Sequence, residues 1–387
     1  MDLFKTKLPQ NRLHESFKTI TSDPIYAPVR DVIQLWGKGL LDRVGEQKKF
    51  INEFQTTFNS AFWELYLNKM IIDLGFSVDY SKGSPDFCVS TPNGCQFSIE
   101  AVVSDRPGAI AAKENSFKEK KFRDHCTIKL MGKLKDKKDL FTGVDGKKFP
   151  YSSLEHVRDR PFVIAIAPFD SDLSLTQNNE IINRVLFGIE PPDEYAFKTG
   201  RQRKVSSIKK PSGAPIELGI FTNDSYKEVS AVIFSTTGTF GKAVVESGIE
   251  RIVRATKYRQ FNKDEFLALQ GLSGMGVKGY KFGCLNYLIS IRSDFGESVA
   301  GSDVHIYHSS CHRETHFDGL HVYYNPYAAI PLQANIIDAK GVTHNYYDVE
   351  SDSPVQHHPD GAMVSRQVYE PTVSNLKFLL DAYSIRY

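Results

Sequence analysis

From Phe50 to Leu74 the apolar residues Ile51, Phe54, Phe58, Ala61, Phe62, Leu65 and Ile72 recur mostly three or four positions apart. That period predicts an amphipathic helix, and Gly75 directly after Leu74 is suited to close it in the left-handed conformation. Two extended runs follow, Asp86–Thr91 and Cys95–Val103, flanking Pro92-Asn93-Gly94, which predicts a hairpin. A Lys-rich helical stretch spans about His125 to Phe141. After a loop, Pro161–Ala167 is a continuous apolar run, as expected of a strand buried on both faces. The order helix, hairpin, helix, buried strand describes an α/β fold: a mixed β-sheet flanked by helices.

The remaining pattern is less regular. Residues 1–48 read as a partly helical arm, interrupted by Pro24 and Pro28. Pro191 to Pro215 reads as a long polar loop, Val229–Ser235 as a strand and Gly241–Tyr258 as a helix. Leu320–Tyr324 and Ala328–Leu332 suggest a strand pair around Asn325-Pro326, and a closing helix is expected near Pro371–Tyr383. The expected division is an arm at 1–48, a main domain with insertions at 49–335 and a C-terminal extension at 336–387.

Composition narrows the class. The chain has 387 residues, 41% hydrophobic and 24% charged, which is ordinary for a globular protein and long enough to bury a core. No run approaches the roughly 20 apolar residues of a membrane span. The first residues lack a signal-peptide pattern, and five scattered cysteines without a CxxC suggest free thiols, so a cytoplasmic location is expected. Net charge is only +2. Local charge is more telling. Lys113 to Lys138 holds ten Lys/Arg against four Asp/Glu, and Phe197 to Lys210 holds six basic residues and no acid. Such runs are often plain solvated surface, but they also suit a polyphosphate partner.

The hairpin turn decides what two acids do. A two-residue Asn-Gly turn would put Asp86 and Glu100 on opposite faces of the strand pair. Pro-Asn-Gly favours instead a three-residue loop, with Pro opening a type I turn and Gly in the left-handed position that follows. That loop pairs Thr91 with Cys95 and brings Asp86 opposite Glu100 on one face. Two carboxylates among apolar strand residues repel each other and lose solvation, and a divalent cation would remove both penalties. Oxygen ligands with room for water suit Mg²⁺ or Mn²⁺. A rim salt bridge to Lys or Arg is the plainer alternative. Glu64, on the preceding helix, lies roughly 100° from the centre of the apolar stripe and could reach the same cleft.

Glu64 on a helix, Ser84-Pro85-Asp86-Phe87, a short hairpin and Ser98-Ile99-Glu100-Ala101-Val102 together resemble the PD-(D/E)xK nuclease superfamily. The resemblance covers about Phe50 to Pro168. It implies a restriction-endonuclease-like sheet and a metal held by Asp86, Glu100 and Glu64, which activates a water against a phosphodiester. The superfamily expects a lysine two residues after the second acid, where this chain has Val102. A branch of the superfamily supplies that lysine from the next helix, where Lys129, Lys133 and Lys137 follow at intervals of four. Leu130-Met-Gly-Lys-Leu134 resembles that branch and points to Lys133 as the catalytic lysine. Lys129, Lys137, Arg201, Arg203 and Lys204 are then expected to grip the nucleic-acid backbone.

The expectation is thus a Mg²⁺- or Mn²⁺-dependent nuclease, with DNA as the favoured substrate and a homodimer by analogy with nucleases that cut both strands. Restriction or anti-phage defence, and a regulatory protein partner, are analogies of the same kind. The alternative is a catalytically inactive nuclease-fold protein that binds nucleic acid or a protein. A third candidate is zinc. His305, His308, Cys311, His312, His316 and His321 crowd into one segment, though their spacing matches no familiar zinc module. Gly271-Leu-Ser-Gly-Met-Gly276 and Thr236-Thr-Gly-Thr-Phe-Gly241 read as a loop and a turn, not phosphate loops.

Overall fold

The computed structural model describes residues 2–43, 45–104, 120–144, 149–169, 179–191, 193–199, 201–260, 276–279, 286–295 and 298–383. Most of the glycine-rich stretch from Gly271 and the first part of the basic run from Lys113 lie outside the described residues.

The N-terminal segment carries helices α1 (Glu15–Ser22) and α2 (Ala27–Trp36), followed by α3 (Gln47–Thr56) and α4 (Phe58–Asp73). The single helix expected from Phe50 to Leu74 is therefore two, broken at Thr57, whose backbone (φ −127°, ψ 39°) leaves the helical region. Nor is α4 amphipathic. The helices before it cover its outer side, with Trp36 of α2 against Phe62 and Tyr66 of α4, so apolar residues are buried around most of its circumference. Gly75 closes the segment in the left-handed region at φ 73°, as expected.

Strands β1 (Ser77–Val78), β2 (Phe87–Ser90) and β3 (Gln96–Val103) come next, then α5 (Lys120–Thr142) and β4 (Phe162–Ala167). After α6 (Glu180–Phe187), the expected polar loop contains a short helix α7 (Glu194–Thr199) and the small pair β5 (Ser207–Lys209) and β6 (Pro215–Glu217). Strand β7 (Ala231–Ser235) leads through a tight turn into α8 (Phe240–Glu246). The long helix expected to Tyr258 ends there, because Gly248 (φ 73°) turns the chain into β8 (Ile252–Gln260), a strand rich in β-branched residues.

Strands β9 (Gly276–Gly279), β10 (Asn286–Phe295), β11 (Ser298–His308), β12 (Leu320–Tyr324), β13 (Thr343–Asp348), β14 (Ser353–His357) and β15 (Met363–Tyr369) precede a final helix α9 (Val373–Asp381). Ala328–Leu332 is not a strand. Strand β12 instead lies between β7, antiparallel, and β13, parallel, so residues of the expected C-terminal extension complete the main sheet.

That sheet has eight strands in the order β1-β2-β3-β4-β7-β12-β13-β14, and it is mixed. Its centre, β3-β4-β7, is parallel and its margins largely antiparallel. Along β3 the odd positions Phe97, Ile99, Ala101 and Val103 join the core under the N-terminal helices, whereas Val102 joins the core under α5 and α6. Both faces are covered, as expected where parallel strands form the middle of a sheet. A second, antiparallel sheet of five strands, β15-β8-β11-β10-β9, packs α9 through Leu376, Leu379 and Leu380.

Helix α4 is fastened to distant chain. Trp63 donates its indole N–H to the Ala165 carbonyl of β4 at 3.0 Å. Tyr66 donates its hydroxyl to the His316 carbonyl at 3.0 Å, and the His316 ring bonds back to the Tyr66 carbonyl at 2.9 Å.

Candidate active site

The hairpin takes the three-residue loop. Thr91 donates its amide to Cys95 at 2.9 Å, and Gly94 stands at φ 84°. Strands β2 and β3 pair Phe87 with Ile99 and Val89 with Phe97, a register that continues to Asp86 opposite Glu100. Strand β2 begins only at Phe87, so among the described residues β3 has no strand neighbour on that side from Glu100 onward. Asp86 occupies the gap, and its carboxylate Oδ2 accepts the Ala101 amide N–H at 2.7 Å.

This notch opens into a cleft of about 630 Å³, lined by Glu64, Asp86, Ala101 and Lys137 together with His14, Lys49 and Glu53 of the N-terminal segment. Glu100, 3% exposed, does not line the cleft itself but meets its Lys137. Lys137 Nζ donates to Glu100 Oε1 at 2.7 Å, while the buried Oε2 has no hydrogen-bond partner among the described residues.

The lysine that reaches the acids is thus Lys137 and not Lys133, which was expected to be catalytic. Along α5 the buried residues Cys126, Leu130, Leu134 and Phe141 form one stripe, and Lys137 fills the place between Leu134 and Phe141. It projects toward the sheet for the reason an apolar residue there would. Lys133 precedes Leu134 by one residue, a turn of about 100° away from that stripe.

The loop before β2 is clasped from both sides. Arg43 donates to the Asp86 carbonyl, and His156 Nε2 bonds the Ser84 carbonyl at 2.7 Å. The Arg43 guanidinium also lies over the rings of Tyr80 and Phe87. None of these partners was visible in sequence, because each lies far along the chain from the acids and carries no motif.

Electrostatics follow from burial. Glu100 is pushed up to about 7 by burial and then by the charge of Asp86, with Lys137 opposing. Burial and Asp86 hold Glu64 well above the ordinary carboxylate range, against Arg43. Asp86 is raised by burial, against Lys137, the Ala101 amide and Arg43. Burial disfavours the charge on Lys137, but Glu100 and Asp86 outweigh it and hold the ammonium above the usual lysine value. Burial is thus the main cause of all three raised carboxyls, with the charge of Asp86 adding to it at Glu64 and Glu100.

No protein-family model, no curated protein and no solved structure matches the chain.

The residues fit a divalent cation in kind, as oxygen donors with an unsatisfied buried atom, Glu100 Oε2. Among the described residues, no three His, Cys, Asp or Glu side chains are already gathered closely enough to grip an ion. A cation would have to draw the three acids together.

The other expected contacts lie elsewhere. Lys129 is half-buried on α5. Arg203 pairs with Asp193 at 2.7 Å, and Lys204 pairs with Asp352 beside β14. The basic loop 201–204 thus sits by the far margin of the sheet from the β2–β3 notch, with Arg203 and Lys204 engaged in ion pairs. It does not line the cleft with the carboxylates. Nor do three of the clustered histidine and cysteine side chains converge on one point among the described residues. His312 bonds Tyr307 and Glu314, His308 bonds Ser310 and Glu250, and His321 is buried against Phe234 and Tyr323. No helix of the described residues is long and apolar enough to cross a membrane.

Proposed function

We propose that the chain is a metal-dependent nuclease of the PD-(D/E)xK kind that hydrolyses phosphodiester bonds, with DNA the favoured substrate. One observation carries this reading. The hairpin register, the Asp86 gap and the α5 stripe bring Asp86, Glu100 and a lysine together although Val102 replaces the lysine of the motif.

Asp86 and Glu100, with Glu64 across the cleft, would hold one or two Mg²⁺ or Mn²⁺. When bound, such a cation supplies Lewis acidity and lowers the pKa of its water. The chain's own residues do the rest. Lys137 spends one N–H on Glu100 and has others to donate to a phosphate oxygen or to orient the attacking water. Without a cation Glu100 is brought to about 7, so its carboxyl would release a proton as it takes the ion. Lys49 and His14, which line the N-terminal rim of the cleft, would meet the backbone of a nucleic acid.

The test is cleavage of plasmid DNA with Mg²⁺ or Mn²⁺, comparing the wild type with Asp86→Ala and Glu100→Ala, folding being checked by circular dichroism. Loss of cutting in both variants supports the proposal, and cutting that survives both removes it. Binding of DNA without cutting in any form would favour the non-catalytic alternative.

A further inference from the structure

A second cavity, of about 590 Å³, lies beyond the C-terminal end of α4, between α8 and the segment 308–316. Three imidazole–carboxylate pairs line it. His308 Nε2 meets Glu250 at 3.1 Å, His312 Nε2 meets Glu314 at 2.9 Å, and His316 Nδ1 faces Glu246 Oε2 at 3.9 Å. In the first two pairs both ring nitrogens are used, since Ser310 takes His308 Nδ1 and the Tyr307 hydroxyl takes His312 Nδ1.

His316 differs. Its side chain is 3% exposed, and its Nε2 bonds the Tyr66 carbonyl at 2.9 Å, which must accept. Nε2 therefore carries the proton. In the neutral ring the lone pair is on Nδ1, which is buried without a hydrogen-bond partner and faces a carboxylate. The ring is fixed by stacking on Tyr66, 4.4 Å between centroids, and by Trp36 edge-on at 4.9 Å. Glu246 is steadied as well, because its Oε2 accepts the Trp36 indole N–H at 3.1 Å. An imidazole whose far N–H is held by a backbone carbonyl, beside a carboxylate held by a second donor, is the outer-sphere arrangement of a metal ligand pair.

We propose that this cavity binds a divalent transition metal of the zinc class on His316 Nδ1 and the Glu246 carboxylate. Nitrogen with carboxylate selects zinc-class ions over Mg²⁺. Two bonds of about 2.1 Å at a tetrahedral angle separate their donor atoms by roughly 3.4 Å. A small swing of Glu246, which is 40% exposed, closes the difference from 3.9 Å. No third such ligand is gathered with them among the described residues, so water or a donor from a bound molecule takes the other positions. Lys242 also lines the cavity. Lys242 itself is committed, donating to the carbonyls of Thr315 and Asp318 at 2.9 and 3.1 Å and pairing with Glu314. The proposal does not depend on the nuclease reading.

The experiment uses the full chain, stripped with chelator and then dialysed against Zn²⁺ or Co²⁺ in excess Mg²⁺. Metal content and Co²⁺ absorption are measured, with Trp36 fluorescence as a local reporter. One ion per chain is expected, with d–d bands and quenching of Trp36. His316→Ala and the shape-conserving Glu246→Gln should each weaken uptake about tenfold or more. Asp86→Ala/Glu100→Ala should retain the ion. No uptake by the wild type, uptake unchanged in both pocket variants, or loss of the ion only in the carboxylate variant would each overturn the proposal.

Discussion

Lys137 Nζ lies 2.7 Å from Glu100 Oε1, joining a helix to a central strand across 37 positions of sequence. Lys137 lines the cleft with Asp86 and Glu64, which makes the pair the discriminating contact of the proposed active site. Lys137→Ala should lower cleavage by about 10²–10⁴-fold, the usual worth of a positioned proton-handling or charge-stabilising group. Lys133→Ala should stay near wild type. Equal losses in the two variants would show that α5 serves only as a basic surface.

At subsaturating Mg²⁺, where protons compete with the cation for the carboxylates, the acid limb of cleavage should reach half its plateau near the titration of Glu100. Burial and Asp86 bring that group to about 7, so the rate should climb as pH rises through neutrality. A limb lying wholly below about pH 5, the range of an unshifted glutamate, would remove Glu100 from the reaction.

Stability carries the same signature in the absence of divalent cation. A carboxyl raised on folding contributes stability that is present below its unfolded value and lost as pH rises through its folded value. For Glu100 the window runs from 4.5 to about 7. His305, His316, His321, His344 and His358 are all held neutral by burial and act with the opposite sign, so the whole-protein profile mixes the two. The informative quantity is the difference in unfolding free energy between Glu100→Gln and wild type. It should move in favour of the variant as pH rises across that window, and a difference that is flat with pH would contradict the raised value.

Arg43 opposes the upward shift of both Glu64 and Asp86 and also holds the Asp86 carbonyl. Arg43→Met should therefore move the acid limb of the pH–rate profile to higher pH as well as lowering the rate. A lower rate on an unmoved profile would mean that the guanidinium only clasps the loop.

Away from the cleft, Glu314 is 2% exposed and pairs with Lys242 at 3.4 Å and Arg366 at 3.3 Å, both also buried. Removing the one acid strands two cations. Glu314→Ala should cost about 3–5 kcal/mol in urea unfolding, as expected when a buried pair loses one member. A loss under about 1 kcal/mol would show that water reaches the network.

The parts of the site legible in sequence were those fixed locally. Pro92-Asn93-Gly94 sets the turn, the turn sets the register, and the register places Asp86 opposite Glu100. Lys137 was legible in principle, as a lysine inside the apolar stripe formed by Cys126, Leu130, Leu134 and Phe141, but motif similarity favoured its neighbour one turn earlier. Arg43 and His156 were not legible, since only tertiary packing brings them to the Ser84–Asp86 loop. The same holds for the pattern of α4. Its apolar residues fit a one-sided stripe until α2 arrives to bury the other side. Periodicity could not tell where the helix to Tyr258 would stop, because Gly248 and the β-branched residues after it compete over few positions.

The paired hydrogen bonds between Tyr66 and His316 span 250 positions of chain. They tie the helix that bears Glu64, two residues before Tyr66, to chain made late in synthesis. A polypeptide terminated before His316 would lack this anchor, although Glu64, Asp86 and Glu100 all lie in the first third of the protein.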